Sequence, residues 1–437
     1  MTLTRPHPRV LITAAVAFLA ALAVLTLVHR GPAQPALPPA TSLETGPPAL
    51  TTDQSIAKLQ MTIRAGLGGP DAYANLGQAY LQKVRETGDP TFYPKAQGVL
   101  DTALARDPHD VGALSGLGAL ALARHQFRLG LGYGLEAHRV APDVLQPYFV
   151  IVDAEVELGR YRDAQITLQR LVDLRPTLAS YARVSYFREL HGDLPGAIRA
   201  MQLAVSAGGA TPENLAYVQT LLGNLEFDRG HLTAAERDYE TAALSFHSYV
   251  PAIAGLAQVD AARGELDRAA AAYRYAMNRL PLPQYIVGLG EVELAAGRAR
   301  QAENDLALVG AEERLLQANG VNTDVDLALF EANHGSPQRA VILARRAWAQ
   351  APSVRSADAL GWALTRAGDP ALGLVWAHRA VRLGSIDPTF LYHAGTSALE
   401  SGNRAQARRY LERALALNPR FSPLFAPLAR QELERAR

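Results

Sequence analysis

A small residue recurs along most of the chain at intervals of 33 or 34 residues, with two intervals of 38. Positions i and i+7 share one face of an α-helix, and the residue seven positions after each small residue is Ala in eight of ten cases. Small side chains on such a face let a second helix approach closely. The series is Ala96, Gly130, Ala164, Ala197, Ala235, Ala269, Ala302, Ala340, Gly373 and Ala407.

Glycine and proline follow the same interval. Five residues before the small residue, Gly occurs in eight successive copies, from Gly159 to Gly402. Gly accepts the left-handed conformation that ends a helix, and Pro, found twelve residues after the small residue in six copies, cannot continue one. Period, small residues and punctuation together indicate a solenoid built from pairs of helices.

The unit resembles the tetratricopeptide repeat (TPR) family, whose 34-residue repeat carries a Trp/Tyr–Leu–Gly–Tyr pattern early and a small–aromatic–small–Pro pattern late. Tyr73, Leu76, Gly77 and Tyr80 match the early pattern, and later copies keep its Leu–Gly pair at 117–118, 222–223, 289–290 and 360–361. The resemblance covers about residues 70–419. It implies an all-α fold, a right-handed α-α superhelical solenoid of about ten TPR-like helix pairs.

A long apolar segment precedes the repeats, at residues 10–28 (VLITAAVAFLAALAVLTLV). Nineteen helical residues at about 1.5 Å each match a hydrocarbon core of about 30 Å. Arg5 and Arg9 precede the segment, which predicts a single-pass anchor with the N-terminus inside and the rest extracytoplasmic, in a bacterial envelope by composition. The alternative is a signal peptide cleaved near residues 31–33, but the length of the apolar run favours an anchor.

The sequence therefore divides into six predicted segments. They are a cytoplasmic N-terminus (1–9), a transmembrane anchor (10–28), a Pro/Ala-rich linker (29–54), repeat copies one to seven (55–309), a possible hinge where the spacing lengthens (310–323), and copies eight to ten with a C-terminal capping helix (324–437).

The composition excludes several kinds of chemistry. Lys and Arg number 43 against 42 Asp and Glu, so no overall field attracts nucleic acid. Cys is absent, which removes disulfides and thiolate sites. No HExxH, P-loop or GxSxG motif occurs. We therefore expect a chain that is not an enzyme and that uses no metal and no cofactor.

The family resemblance also implies where a partner binds, because the first helix of each TPR unit lines a concave groove. Mapping the groove positions gives a mixed aromatic and polar strip suited to a protein or peptide partner. The predicted groove residues are Phe149, Asp153, Tyr186, Tyr217, Thr220, Asn224, Gln258, Glu291, Arg355, Asp358, Trp362, Tyr392 and Thr396.

These features predict a non-catalytic, protein- or peptide-binding scaffold, tethered to a membrane and displayed outside the cytoplasm. Three alternatives stay open. The chain could assist envelope polysaccharide or secretion assembly, with sugars stacking on groove aromatics such as Trp362. It could be a secreted TPR protein after signal cleavage, or it could carry a catalytic site on the solenoid. The sequence does not specify the partner, the pathway or the oligomeric state.

Overall fold

The computed structural model describes residues 50–209 and 211–437. The predicted N-terminus (1–9), the predicted anchor (10–28) and the linker up to residue 49 lie outside the described residues. Within residues 50–209 and 211–437, no helix has both the length and the apolarity needed to cross a membrane. Helix α1 (Thr52–Arg64) begins inside the segment predicted as linker, where Thr51 caps it by accepting a hydrogen bond from the backbone N–H of Gln54.

The chain from residue 70 onward forms successive helix pairs, which we number as copies one to ten. They are α2 (Pro70–Thr87) with α3 (Phe92–Arg106), α4 (Val111–Ala123) with α5 (Phe127–Val140), α6 (Leu145–Glu157) with α7 (Tyr161–Leu174), α8 (Leu178–Leu190) with α9 (Leu194–Ala207), α10 (Pro212–Asp228) with α11 (Leu232–Ser245), α12 (Val250–Arg263) with α13 (Leu266–Arg279), α14 (Pro283–Ala295) with α15 (Ala299–Leu306) and α16 (Val309–Ala318), α17 (Asp324–His334) with α18 (Pro337–Gln350), α19 (Val354–Arg366) with α20 (Pro370–Ala380), and α21 (Pro388–Glu400) with α22 (Arg404–Leu417). Helix α23 (Phe425–Ala436) follows copy ten.

The small-residue series lies at the helix contacts, as predicted. Every member falls on the second helix of its copy and is buried, as is the residue seven positions later. Copy five shows why the facing positions are small. A Cβ on Gly223 or Gly255 would lie 2.6 or 2.4 Å from Cε1 of Tyr239, whose fully buried ring fills the space between the first helices of copies five and six.

The intra-copy glycines adopt the predicted left-handed conformation, with one exception. From Gly159 to Gly402, seven of the eight have a positive φ. Gly335 instead has φ −130°, and the carboxylate of Glu331 accepts a hydrogen bond from the next backbone N–H, at Ser336, at 2.8 Å. A side-chain acceptor thus takes the place of the left-handed turn in copy eight.

Successive turns of the described superhelix also contact each other. The turn between the two helices of one copy touches the end of the copy five places later, and we refer to this contact as closure. Asn418 Nδ2, after copy ten, donates a buried hydrogen bond of 2.7 Å to the carbonyl oxygen of Phe227, in copy five. A Cβ on Gly192, in copy four, would lie 2.4 Å from the carbonyl oxygen of Gly384, after copy nine. We call this line of contacts the seam.

Copies one and two join the same seam. A Cβ on Gly88 would collide with the side chain of Leu280, which ends copy six. Residues of copy two meet the segment 310–323: Arg124 Nε donates to Asn319 O at 2.9 Å, and Gln126 Nε2 donates to Gly320 O at 3.1 Å. The segment that the sequence marks as a possible hinge therefore forms most of α16 and is hydrogen-bonded to copy two, while bending there stays a prediction.

The seam places distant copies around one interior. Because five copies complete a turn, copies three to five stack directly against copies eight to ten along the superhelix. One interior cavity is accordingly lined by Tyr186 and Asp228 from the earlier copies and by Arg355 and Asp387 from the later ones.

Candidate ligand-binding groove

Four cavities follow the concave side and share one residue, Arg355. Their volumes are about 250, 680, 230 and 500 Å³. Arg355 lies on the first turn of α19, and about half of its side-chain surface is exposed. The four cavities therefore adjoin one another around the Arg355 side chain, and we call them together the groove.

Arg183 is held in a fixed position on one wall of this groove. Its Nε and Nη2 atoms donate to the two carboxylate oxygens of Asp153 at 2.8 and 2.6 Å, in a bidentate pair. The guanidinium carbon also lies 4.7 Å from the ring centroid of Phe149. The three side chains come from α6 and α8, so this cluster links the first helices of copies three and four.

Two tyrosines line the adjoining wall. The hydroxyl of Tyr186 donates to Glu157 Oε1 at 3.3 Å, and burial raises the pKa of Tyr186 well above its ordinary value. Tyr217 is 46% exposed, which is high for an aromatic side chain on a concave surface. An exposed aromatic ring beside charged groups can pack against both the apolar and the cationic parts of a ligand.

Arg355 is surrounded by acidic groups. Burial disfavours its charge, but Asp326, Tyr186, Glu157 and Asp387 together raise the pKa of the guanidinium overall. Its ion pair is with Asp326, at 3.5 Å, and both side chains are about half exposed. Arg355 therefore stays charged and accessible to a ligand.

Three carboxylates stand at the C-terminal ends of successive first helices: Glu157 on α6, Glu189 on α8 and Asp228 on α10. A helix C-terminus carries partial negative charge, which disfavours an acidic side chain there. Burial raises the pKa of all three groups, and burial together with Asp387 raises that of Glu189 to about 7. These carboxylates lie where the fold opposes their charge.

Seven of the predicted groove residues line the described cavities, and a ligand-binding role for each stays a prediction. Asp153, Tyr186, Tyr217 and Asn224 lie around the cavity of about 500 Å³, and Arg355 lies at the junction. Gln258 and Glu291 line a smaller cavity between copies six and seven and the segment 420–423. Glu291 accepts a hydrogen bond from His334, at 3.2 Å between Oε1 and Nε2.

Four other predicted groove residues are buried in the core instead: Asp358, Trp362, Tyr392 and Thr396. The Trp362 ring stacks on His393 with centroids 4.2 Å apart, and its Nε1 donates to Asn333 at 2.7 Å. The expectation that these side chains form a groove surface is therefore corrected. Helices α17, α19 and α21 pack together, and α23 covers Tyr392 through Phe425, which leaves a groove ligand no access.

Two further predicted residues also serve the fold. Thr220 is buried, and its hydroxyl donates to the carbonyl oxygen of Ala216 at 2.8 Å. Phe149 is partly buried, packs with the cluster around Tyr148, and supports the guanidinium of Arg183. Neither is placed to contact a ligand through a free polar group.

Sequence mapping missed Glu157, Glu189, Asp228, Asp326 and Asp387. The first three carry a readable signal, since each precedes the intra-copy Gly of copies three, four and five by two or three residues. Asp387 could not be found in this way, because it lies outside the first helix and reaches the groove only through closure at the seam. Within residues 50–209 and 211–437, no group of three or more His, Asp and Glu side chains is placed to hold a metal ion.

Two successive helices per copy, packed through small residues, define a helical-repeat solenoid. The family model described as tetratricopeptide repeat matches residues 149–214 and 392–430. These segments contain most of copy three, all of copy four, most of copy ten and part of α23. The matches support the tetratricopeptide repeat family for this chain, and they indicate no catalytic family.

Several solved structures are similar to the chain in fold. The APC/C hetero-tetramer Cut9–Hcn1 is 18% identical at a TM-score of 0.37, covering 89% of this chain and 67% of that chain. A thermophilic TPR protein of Thermus thermophilus is 18% identical at a TM-score of 0.34, covering 46% of this chain and 95% of that chain. The human IFIT1 dimer with PPP-AAAA is 17% identical at a TM-score of 0.40, covering 83% of this chain and 77% of that chain. No curated protein compared with the chain matches it. Similarities at these levels say nothing about a ligand of this chain.

Proposed function

We propose that this chain is a non-catalytic scaffold that binds a segment of a partner protein in the groove around Arg355. The observation that carries the proposal is the shared lining of that groove: four adjoining cavities all include one accessible, charged side chain, Arg355. TPR folds are typically scaffolds, and TPR proteins generally bind protein partners, which supports the same role here.

The lining suits a polypeptide. The cavity of about 500 Å³ combines Tyr186 and Tyr217 with ion-paired Arg183, while the cavity of about 680 Å³ adds an apolar wall that includes Leu282 and Phe330. An extended segment presents apolar and polar side chains in alternation, so it can use both walls at once.

The proposal includes attachment to a membrane through residues 10–28, with the repeats outside the cytoplasm. Its support is the apolar run of the sequence and the preceding Arg5 and Arg9. Protease treatment of intact cells and of spheroplasts, with the mass of the mature N-terminus, tests this part. Digestion from outside with the initial residues retained is expected. Protection inside contradicts the orientation, and a new N-terminus near residue 34 contradicts the anchor.

Site-specific photocrosslinking tests the binding role. The probe p-benzoylphenylalanine replaces Tyr217 in the groove of the full chain, and in a matched variant it replaces Tyr275, 41% exposed on the second helix of copy six. We expect a discrete protein adduct from position 217 that is absent from position 275. Equal adducts from both positions, or none from position 217, contradict groove binding.

The polysaccharide alternative depended chiefly on sugars stacking on Trp362. Trp362 is 2% exposed, so a sugar in the groove cannot stack on its ring.

A further inference from the structure

The groove beside Arg355 is lined by more acidic than basic side chains. The two cavities around copies three to five are lined by five carboxylates and two guanidinium groups. Arg183 is occupied by its bidentate pair with Asp153, and Arg355 forms its ion pair with Asp326. Four carboxylates of these cavities form no ion pair within 4.0 Å among the described residues: Glu157, Glu189, Asp228 and Asp387. Glu157 and Asp387 interact only at longer range with Arg355.

The fold accounts for only part of this surplus: the Asp387 carboxylate caps α21 by accepting hydrogen bonds from the backbone N–H groups of Thr389 and Phe390 at 2.7 and 3.1 Å, but in the described part of the chain the other three carboxylates have no such role. Glu157, Glu189 and Asp228 each occupy the last turn of a first helix, where the helix dipole opposes them. Closure at the seam then brings Asp387 against Glu189 and Asp228, which adds repulsion between like charges. A cationic group placed among them relieves both costs.

The surroundings select the kind of cation. No group of carboxylates and histidines in the described residues has the arrangement of a metal site. The walls instead offer the rings of Tyr186 and Tyr217, which attract organic cations through their faces. Beyond Arg355 the groove continues into the cavity with apolar side chains such as Leu282, Val287 and Phe330. A ligand spanning both regions carries cationic and apolar groups in one chain.

We propose that the partner segment bound in this groove is a polypeptide stretch with Lys or Arg residues next to apolar ones, and that its cationic side chains lie among Glu189, Asp228 and Asp387. This inference rests on the proposed function and specifies its ligand. The carboxylates supply charge complementarity, and the cavity of about 680 Å³ receives the apolar side chains.

Fluorescence anisotropy with the full chain, kept in mild nonionic detergent, tests the assignment. The probes are three peptides of one length that alternate Leu with Lys, with Glu or with Ser. We expect the Lys peptide to bind roughly tenfold or more tightly than the Glu peptide, and its affinity to fall as salt rises from about 50 to about 500 mM. Equal affinity for the Lys and Glu peptides, or binding of none of the three, overturns the assignment.

A double variant tests the location. Glu189→Gln with Asp228→Asn removes two groove carboxyl groups with almost no change in shape, and Glu240→Gln with Glu303→Gln removes two carboxyl groups from exposed positions on second helices. We expect roughly tenfold weaker binding of the Lys peptide for the groove variant only, with an unfolding temperature at least equal to that of the parent chain. Equal loss in both variants overturns the location.

The two proposals fail separately. If the Ser or Glu peptide binds as well as the Lys peptide, the charge assignment is wrong while groove binding stands. If the photoprobe at position 217 captures nothing beyond the control at position 275, the proposed function is wrong as well.

Discussion

The hydroxyl oxygen of Tyr161 accepts a buried hydrogen bond of 2.8 Å from the backbone N–H of Val354, which lies 193 residues further along the chain. Tyr161 begins the second helix of copy three, and Val354 begins the first helix of copy nine. The bond satisfies one of the backbone donors that every helix start leaves open. It therefore joins two turns of the superhelix at the residue that precedes Arg355.

Removing this acceptor should weaken the whole array. Tyr161→Phe keeps the ring but leaves the buried N–H of Val354 without its partner, which should lower the free energy of unfolding by about 1–3 kcal/mol. Urea denaturation followed by circular dichroism measures the change. Tyr275→Phe, on an exposed ring, is the control and should change little. Equal effects of the two substitutions contradict a stabilising role for the seam bond.

Substituting two glycines in turn distinguishes the effect of losing the seam contact from the effect of backbone strain. Gly159 and Gly297 both have left-handed φ, +70° and +75°, so Ala is strained equally at either position. A Cβ at Gly159 would also lie 2.3 Å from the carbonyl oxygen of Pro352, whereas one at Gly297 meets nothing within 4 Å in the described part of the chain. Gly297→Ala should cost about 1 kcal/mol, and Gly159→Ala clearly more. Matching thermal unfolding curves for the two variants would falsify the contact.

Stability should fall as the groove carboxylates ionise. The pKa of Glu189 is raised from 4.5 to about 7 by burial and by Asp387, so the folded state holds this proton more tightly than the unfolded chain. Its contribution is fully present below pH 4.5 and is lost as the pH rises through about 7. Asp228, Asp387, Arg355 and Tyr186 face the same cavity, and the pKa values of the two aspartates shift in the same direction.

The comparison that isolates this effect is Glu189→Gln against the parent chain between pH 4.5 and 8. The loss of unfolding free energy with rising pH should be shallower in the variant, while Glu240→Gln should follow the parent curve. Identical slopes for all three proteins contradict the raised pKa of Glu189.

Trp362 should behave as a core residue. Trp362→Ala removes a ring packed against Tyr392 and His393 and should cost about 3–5 kcal/mol of unfolding free energy. Trp376→Ala, at a partly buried ring on α20, is the comparison and should cost less. A cost for Trp362→Ala no larger than that for Trp376→Ala would show that the ring is not in the core.

Local spacing was enough to predict the repeats. Ala164 and Leu171, seven residues apart, are both buried on one face of α7, because helical periodicity alone decides which residues share a face. The left-handed conformation of the intra-copy glycines could also be predicted, since few other residues accept a left-handed turn. The prediction was wrong for Gly335, because in copy eight the Glu331 carboxylate accepts a hydrogen bond from the backbone and takes the place of the left-handed turn.

The groove could be predicted only in part. Asp153 and Tyr217 were found because their positions within a first helix put them on the concave side. Trp362 and Tyr392 hold comparable positions but are covered, because packing against the C-terminal helix is not visible in a single repeat. Whether Asp387 reaches the groove depends on how many copies complete a turn. That number is set by the sum of small rotations between neighbouring copies, which the sequence of one repeat does not reveal.

Closure at five copies per turn builds this groove, and a disulfide across the seam tests it most directly. A Cβ on Gly230 would lie 3.8 Å from that of Asn418, within the range of disulfide-bonded cysteines, and the natural chain contains no Cys. We expect Gly230→Cys with Asn418→Cys to form an intramolecular disulfide rapidly under mild oxidation, and Gly297→Cys with Asn418→Cys to form none. Equal oxidation of the two pairs, or none in the first, would contradict closure at the seam.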